Sequence, residues 1–147
     1  MAPGFWVPSL TNVLKAEGLE GWVAAVFAVA PICSLFSPLI GGALADERIA
    51  AQKLMGWSSL LGAVAIFLAF GALDIGLHPW WFIAGIAVYA TVSGPTWGLL
   101  ATISLANLEN GERRYPLVRL GATLGWMAAG FLTSYALDAD SSLVVGY

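Results

Sequence analysis

"LMGWSSLLGAVAIFLAFGAL", residues Leu54 to Leu73, runs for twenty residues without a charge. As a helix rising 1.5 Å per residue it is about 30 Å long, the thickness of the hydrocarbon layer of a bilayer. Lys53 stands before it and Asp74 after it, so charge marks both ends. The chain repeats the pattern: Gly21 to Ala45, Ile75 to Leu108 and Leu120 to Leu137 are also free of charge. Of the 147 residues, 59% are hydrophobic and 10% charged, against about 25% charged in a soluble domain. Mean hydropathy is +0.82. A soluble core gives no reason for charges to be segregated between long apolar runs, and the pattern predicts an all-α, polytopic membrane protein.

The runs place helices at about 3–15, 21–45, 53–73, 79–105 and 115–137, with loops between them and the start of a sixth helix at about 142. Loops this short make consecutive helices antiparallel neighbours. The opening stretch lacks the basic start and small-residue cleavage pattern of a signal peptide. Its apolar part ends at Lys15, too short to span, so it either lies shallow or continues a segment that begins earlier. Chain 1–147 is thus expected to be one amino-terminal half-bundle fragment of about five spanning helices.

The net charge of −3 carries no basic footprint for nucleic acid. Lipid is the expected partner. Arg48, Lys53, Arg113 and Arg114 fall on one side of the helices and Lys15 on the other, which makes 46–52 and 106–114 cytoplasmic loops of a multi-pass protein in the cell (inner) membrane. His78, Trp80 and Trp81 then fall at the outer interface, where such rings partition favourably. The one cysteine, Cys33, excludes an intrachain disulfide and a cysteine zinc site. No acid pair, metal spacing or Ser/His arrangement suggests an enzyme.

Proline and glycine are dense inside the spans: Pro31, Pro38, "SGPTWG" at 93–98 and "GATLG" at 121–125. Small residues let membrane helices approach closely, and proline bends the axis. Arg119 stands about one turn inside its span. It either snorkels to headgroups or faces the bundle, where an unpaired charge costs at least about 2.5 kcal/mol. Thr123 and Trp126 follow it on one helix face, giving a guanidinium, a hydroxyl and a ring in line. That strip suits a flat, polar heterocycle. The alternatives are that Trp126 fills the bundle and that Thr123 bonds its own backbone at i−4.

Between the second and third helices, "GGALADERIAAQK" at 41–53 offers Gly42 for close approach and Asp46 as a cap for the next helix. Gly-x-x-x-Asp followed by bases resembles the cytoplasmic gating-loop signature of the major facilitator superfamily, through Gly42, Asp46 and Arg48. Glu47 stands where that signature has a base, and Ile49 where it has a second glycine. "PTWGLLATISLANL" followed by "YPLVRLGATLGW" is similar to the fourth and fifth helices of the nucleoside/proton symporters within that superfamily. Pro95, Thr96, Ile103, Ser104, Pro116, Arg119, Gly121, Thr123, Gly125 and Trp126 carry the similarity.

The resemblance implies a major-facilitator-like antiparallel helix bundle, present in part, of an expected twelve helices in two halves of about six. It implies nucleoside transport by proton symport and alternating access, with the proton as coupling ion and no other cofactor. Arg119, Thr123 and Trp126 would form the substrate-binding strip, and the missing carboxy-terminal half of the same transporter would be the partner. A transporter for sugars or another polar metabolite, and a non-transport assembly module, are the competing readings.

Overall fold

In the computed structural model, residues 2–47, 50–109 and 111–147 are described, apart from the side chains of residues 2, 37–47, 111 and 112. The regular elements among them are helical: α1 (Ala2–Trp6), α2 (Leu10–Ala16), α3 (Val23–Glu47), α4 (Ala51–Asp74), α5 (Pro79–Ser93), α6 (Pro95–Asn107) and α7 (Gly111–Phe131). Helix is the form that satisfies every backbone N–H and C=O within its own segment, as hydrocarbon surroundings require. Two segments among the described residues are long and apolar enough to cross a membrane: Ala51–Asp74, and Pro79–Asn107 taken as one. Glu20–Phe36 is a shorter apolar helix.

The helix expected over 3–15 is two. Pro8 has no N–H to give to the Gly4 carbonyl, so the ladder stops after the Val7 N–H to Pro3 carbonyl bond (3.0 Å) and resumes with Val13 to Ser9 (3.0 Å). α2 and α4 end in the same way. Gly18 and Gly76 both adopt φ of 71°. Leu19 N–H then bonds the Leu14 carbonyl at 2.7 Å, and Leu77 N–H the Ala72 carbonyl at 2.9 Å, which closes the last turn of each helix.

Pro79 opens α5, and His78 Nδ1 accepts from Trp80 N–H at 3.4 Å. Trp22 lies edge-on to both rings, at 5.8 Å from His78 and 5.2 Å from Trp80. The expected helix 79–105 is interrupted at Gly94, because Pro95 cannot donate to the Thr91 carbonyl. Gly94 itself keeps helical angles (φ −53°, ψ −45°), so direction continues while the bonding breaks. α7 tolerates Pro116 within its length and ends in a wider π turn, Leu132–Ala136. In place of the start of a sixth helix there is a single 3₁₀ turn, Leu143–Gly146, begun by the Ser142 hydroxyl, which accepts from Val144 N–H at 3.3 Å.

α4 and α5 form the closest pair, with α3 packed on α5 and α7 packed on α1 and α6. Their core gathers Val13, Leu14, Val26, Phe70, Phe82 and Ile86, all nearly inaccessible. Phe70 meets Phe82 edge-on at 5.4 Å and Trp6 at 6.3 Å. Outside this core, Leu60, Leu61, Val64, Leu68, Met127 and Phe131 are exposed. An apolar surface of this kind matches hydrocarbon or further protein.

Candidate functional site

A cavity of about 890 Å³ opens between α1, α4, the α5–α6 joint and α7. Its size lies in the range that accommodates a small organic molecule. Aromatic rings form much of its wall, among them Trp6, Phe67, Trp97 and Trp126. Hydroxyls of Ser59, Tyr89, Ser93, Thr96 and Thr133 interrupt the apolar surface, and among the described residues no carboxylate lines it. Two of these hydroxyls are engaged with the backbone: Thr96 Oγ1 donates to the Ser93 carbonyl and Thr133 Oγ1 to the Ala129 carbonyl at 2.9 Å.

Two glycines fix the wall. At Gly4 a Cβ would stand 3.1 Å from the Ala129 Cβ and 3.4 Å from both the Trp126 Cα and its carbonyl oxygen. α1 therefore rests on the backbone of α7 at the turn that bears Trp126, which sets where the half-buried indole emerges. At Gly62 a Cβ would meet Ser93 Oγ at 2.6 Å and the Tyr89 ring at 3.4 Å. The missing side chain makes a notch in α4 that receives the α5 hydroxyl. Tyr89 is braced on its other side by Trp6, edge-on at 5.3 Å.

The three residues expected to form one strip are distributed. Trp126 lines the cavity. Arg119 is exposed and borders a second hollow of about 150 Å³ with Trp97, Leu100, Tyr115, Val118 and Ala122. Thr123 borders neither, and its Oγ1 donates to the Arg119 carbonyl at 3.0 Å, the i−4 bond that a threonine within a helix can always make. Arg119 and Trp126 are seven positions apart, two turns on one face and about 10 Å along the axis, so the hollow and the cavity follow each other along α7. Of the small residues between them, Gly125 is buried, whereas a Cβ at Gly121 would meet nothing within 4 Å.

Gly42 and Asp46 belong to α3, which runs to Glu47, and their side chains, like the whole of Arg48, lie outside the described residues. The cap expected from Asp46 falls elsewhere: α4 starts at Ala51, and Ala50 occupies the cap position without a side-chain hydrogen bond. The second helix runs two residues past its expected end at 45, although acidic residues in a last turn oppose the helix dipole. Trp97, Tyr89 and Ser93 also line the cavity, the first and last from the "SGPTWG" stretch, which reads in the sequence as small residues and a proline. A tryptophan deep inside a span was the available signal for the first of them.

The family model described as "Nucleoside H+ symporter" matches residues 2–144. The chain belongs to this family. The putative nucleoside transporter YegT of Escherichia coli (strain K12) is 27% identical over 134 residues, covering 90% of this chain and 30% of that protein. The nucleoside permease NupG of the same organism is 26% identical over 139 residues, covering 89% of this chain and 32% of its own length. The chain thus spans about a third of the length of these curated relatives. Both are named as a transporter or permease, not as enzymes. No solved structure matches the chain significantly.

Proposed function

We propose that this chain forms the amino-terminal part of a nucleoside transporter of the cytoplasmic (inner) membrane, working by alternating access with a proton as coupling ion. The observation that carries the reading is the aromatic-walled cavity of about 890 Å³, with Trp126 on its wall, in a chain of this family. A nucleobase is flat, polar at its edge and polarizable on its face, so indoles supply stacking while wall hydroxyls supply hydrogen bonds.

In this reading about five helices span, with 46–52 and 106–114 on the cytoplasmic side. The remainder of the transporter closes the open side of the cavity as the other half of a two-part bundle. Arg119 is exposed in this chain, and at membrane depth its charge needs a carboxylate or carbonyl partner, which the second half supplies. Arg119, Thr123 and Trp126 then act in succession along α7, Thr123 meeting the solute only where the second half completes the site. Gly42, Asp46 and Arg48 belong to a cytoplasmic gate that closes when the outer side opens. No carboxylate of the described residues lines the cavity, and in this reading the proton-binding group belongs to the other half as well.

The test is uptake of radiolabelled uridine by the full-length protein in proteoliposomes. Displacement by unlabelled nucleosides but not by hexoses, with stimulation by an inward proton gradient, is expected. Displacement by hexoses alone overturns the solute assignment, and uptake indifferent to the gradient overturns the coupling.

A further inference from the structure

Indole rings ordinarily collect where a span meets water, and Trp22 and Trp80, 5.2 Å apart at the start of α5, fit that rule. Trp97 does not. The apolar segment Pro79–Asn107 is 29 residues long. At 1.5 Å per residue Trp97 lies about 27 Å from one end and about 15 Å from the other, well inside the hydrocarbon depth. Its side chain is nevertheless 63% exposed, so it does not fill this part of the bundle.

Its placement is specific. Trp97 lines both the main cavity, with Trp126, and the smaller hollow, with Arg119. Leu100 and Ala122 are shared in the same way. Ala122 lies one turn beyond Arg119 and one turn before Trp126, which puts the Trp97 indole at the level between the guanidinium and the second ring. The first turn of α6 that carries it is held by the Thr96 hydroxyl on the Ser93 carbonyl. Among the described residues Trp97 enters no aromatic pair of its own, whereas Trp6, Trp22 and Trp80 each do.

We infer that Trp97 is a solute-contacting residue that sets base preference: a second aromatic surface on which the nucleobase lies, beside Trp126 and on the Arg119 side of it. A broad indole gains more from the larger purine ring system than from a pyrimidine, because stacking grows with ring overlap. The inference rests on the nucleoside reading above.

Two measurements on the full-length protein test it. In a background whose native cysteines, Cys33 included, are replaced by serine, the Trp97→Cys variant is exposed to a charged, membrane-impermeant thiol reagent with and without adenosine, uridine or glucose. Reaction is expected, slowed at least about fivefold by adenosine. In the native background, Trp97→Leu is expected to raise the KM for adenosine about tenfold and that for uridine about threefold or less, with Trp97→Phe between wild type and Trp97→Leu. Failure of the thiol to react, as for a lipid-facing side chain, overturns the inference, and so does an equal rise in both KM values. Protection by the hexose alone keeps Trp97 in the solute path while overturning the nucleoside reading, so the two failures are distinct.

Discussion

Gly85 of α5 lies directly on Ala69 of α4: a Cβ on the glycine would stand 2.6 Å from the Ala69 Cβ, 3.1 Å from its Cα and 3.3 Å from the Ala65 carbonyl oxygen. Between apolar helices in lipid there is no gain from leaving water, so such backbone approach supplies the attraction instead. Gly85→Ala should therefore destabilise the full-length protein by about 1–3 kcal/mol, as overpacking does. A lowered unfolding temperature in detergent would report it. Adding Ala69→Gly should restore part of the loss, since it removes the 2.6 Å contact and leaves the two backbone ones, and a fully additive second penalty would contradict this contact.

At the Gly62 notch the obstructing atom is a side-chain hydroxyl, Ser93 Oγ, with the Tyr89 ring close behind. Gly62→Ala is thus expected to cost about 1 kcal/mol, less than Gly85→Ala, since a serine can rotate. In combination with Ser93→Ala the cost should shrink, and a double-mutant cycle on thermal stability measures that coupling.

Trp126→Leu should weaken nucleoside binding to the full-length protein by about 1–3 kcal/mol, the worth of one base–aromatic stack, at unchanged membrane abundance. Binding calorimetry on purified protein is the measurement. An unaltered Kd would make the ring a packing element.

The Thr123 hydroxyl is already committed to the Arg119 carbonyl, so it can accept from a solute but has no free proton to give. Thr123→Val should then cost about 1 kcal/mol in nucleoside affinity, and Thr123→Ser little. If Arg119 meets a partner in the second half as proposed, Arg119→Gln should be far more severe, lowering uptake more than about tenfold, because it leaves that partner without its counter-charge. The ranking Arg119→Gln, then Thr123→Val, then Thr123→Ser is read from initial uptake rates, and an inverted order would remove the strip from the solute path.

Gly76 ends α4 at φ 71°, where a Cβ is strained whatever the space around it. Gly76→Ala should cost about 1–2 kcal/mol of stability, with Gly76→Asn milder, and neither should shift the KM for nucleoside.

Much of the helix plan is legible in the sequence, because charge at the ends of apolar runs is a coarse but strong signal. The run expected at 53–73 is observed as Ala51–Asp74, and Pro79 opens α5 where the loop was expected to end. Pro8 shows a limit: charge-free runs mark apolar length and not continuity, so an interior proline, which is disruptive, divides the expected 3–15 into Ala2–Trp6 and Leu10–Ala16. The wall of the cavity was harder. α5 and α6 are apolar on all sides, so no polar face indicates which way Tyr89, Ser93 and Trp97 turn. Trp126 is legible from its helical spacing to Arg119 and Thr123, and the family resemblance points to the same residue. Periodicity placed Arg119 on the same face as Trp126 but did not show that neighbouring helices divide that face into two hollows.

The joint at Gly94–Pro95 separates two mechanical loyalties. α5 is clamped to α4 at Gly85, while α6, carrying Trp97, packs on both α4 and α7. Pro95 leaves the Thr91 carbonyl without its helical donor, so bending costs least at that joint. Bending there would carry Trp97 relative to the Gly85 seam, and the packing of α6 on both α4 and α7 bounds how far.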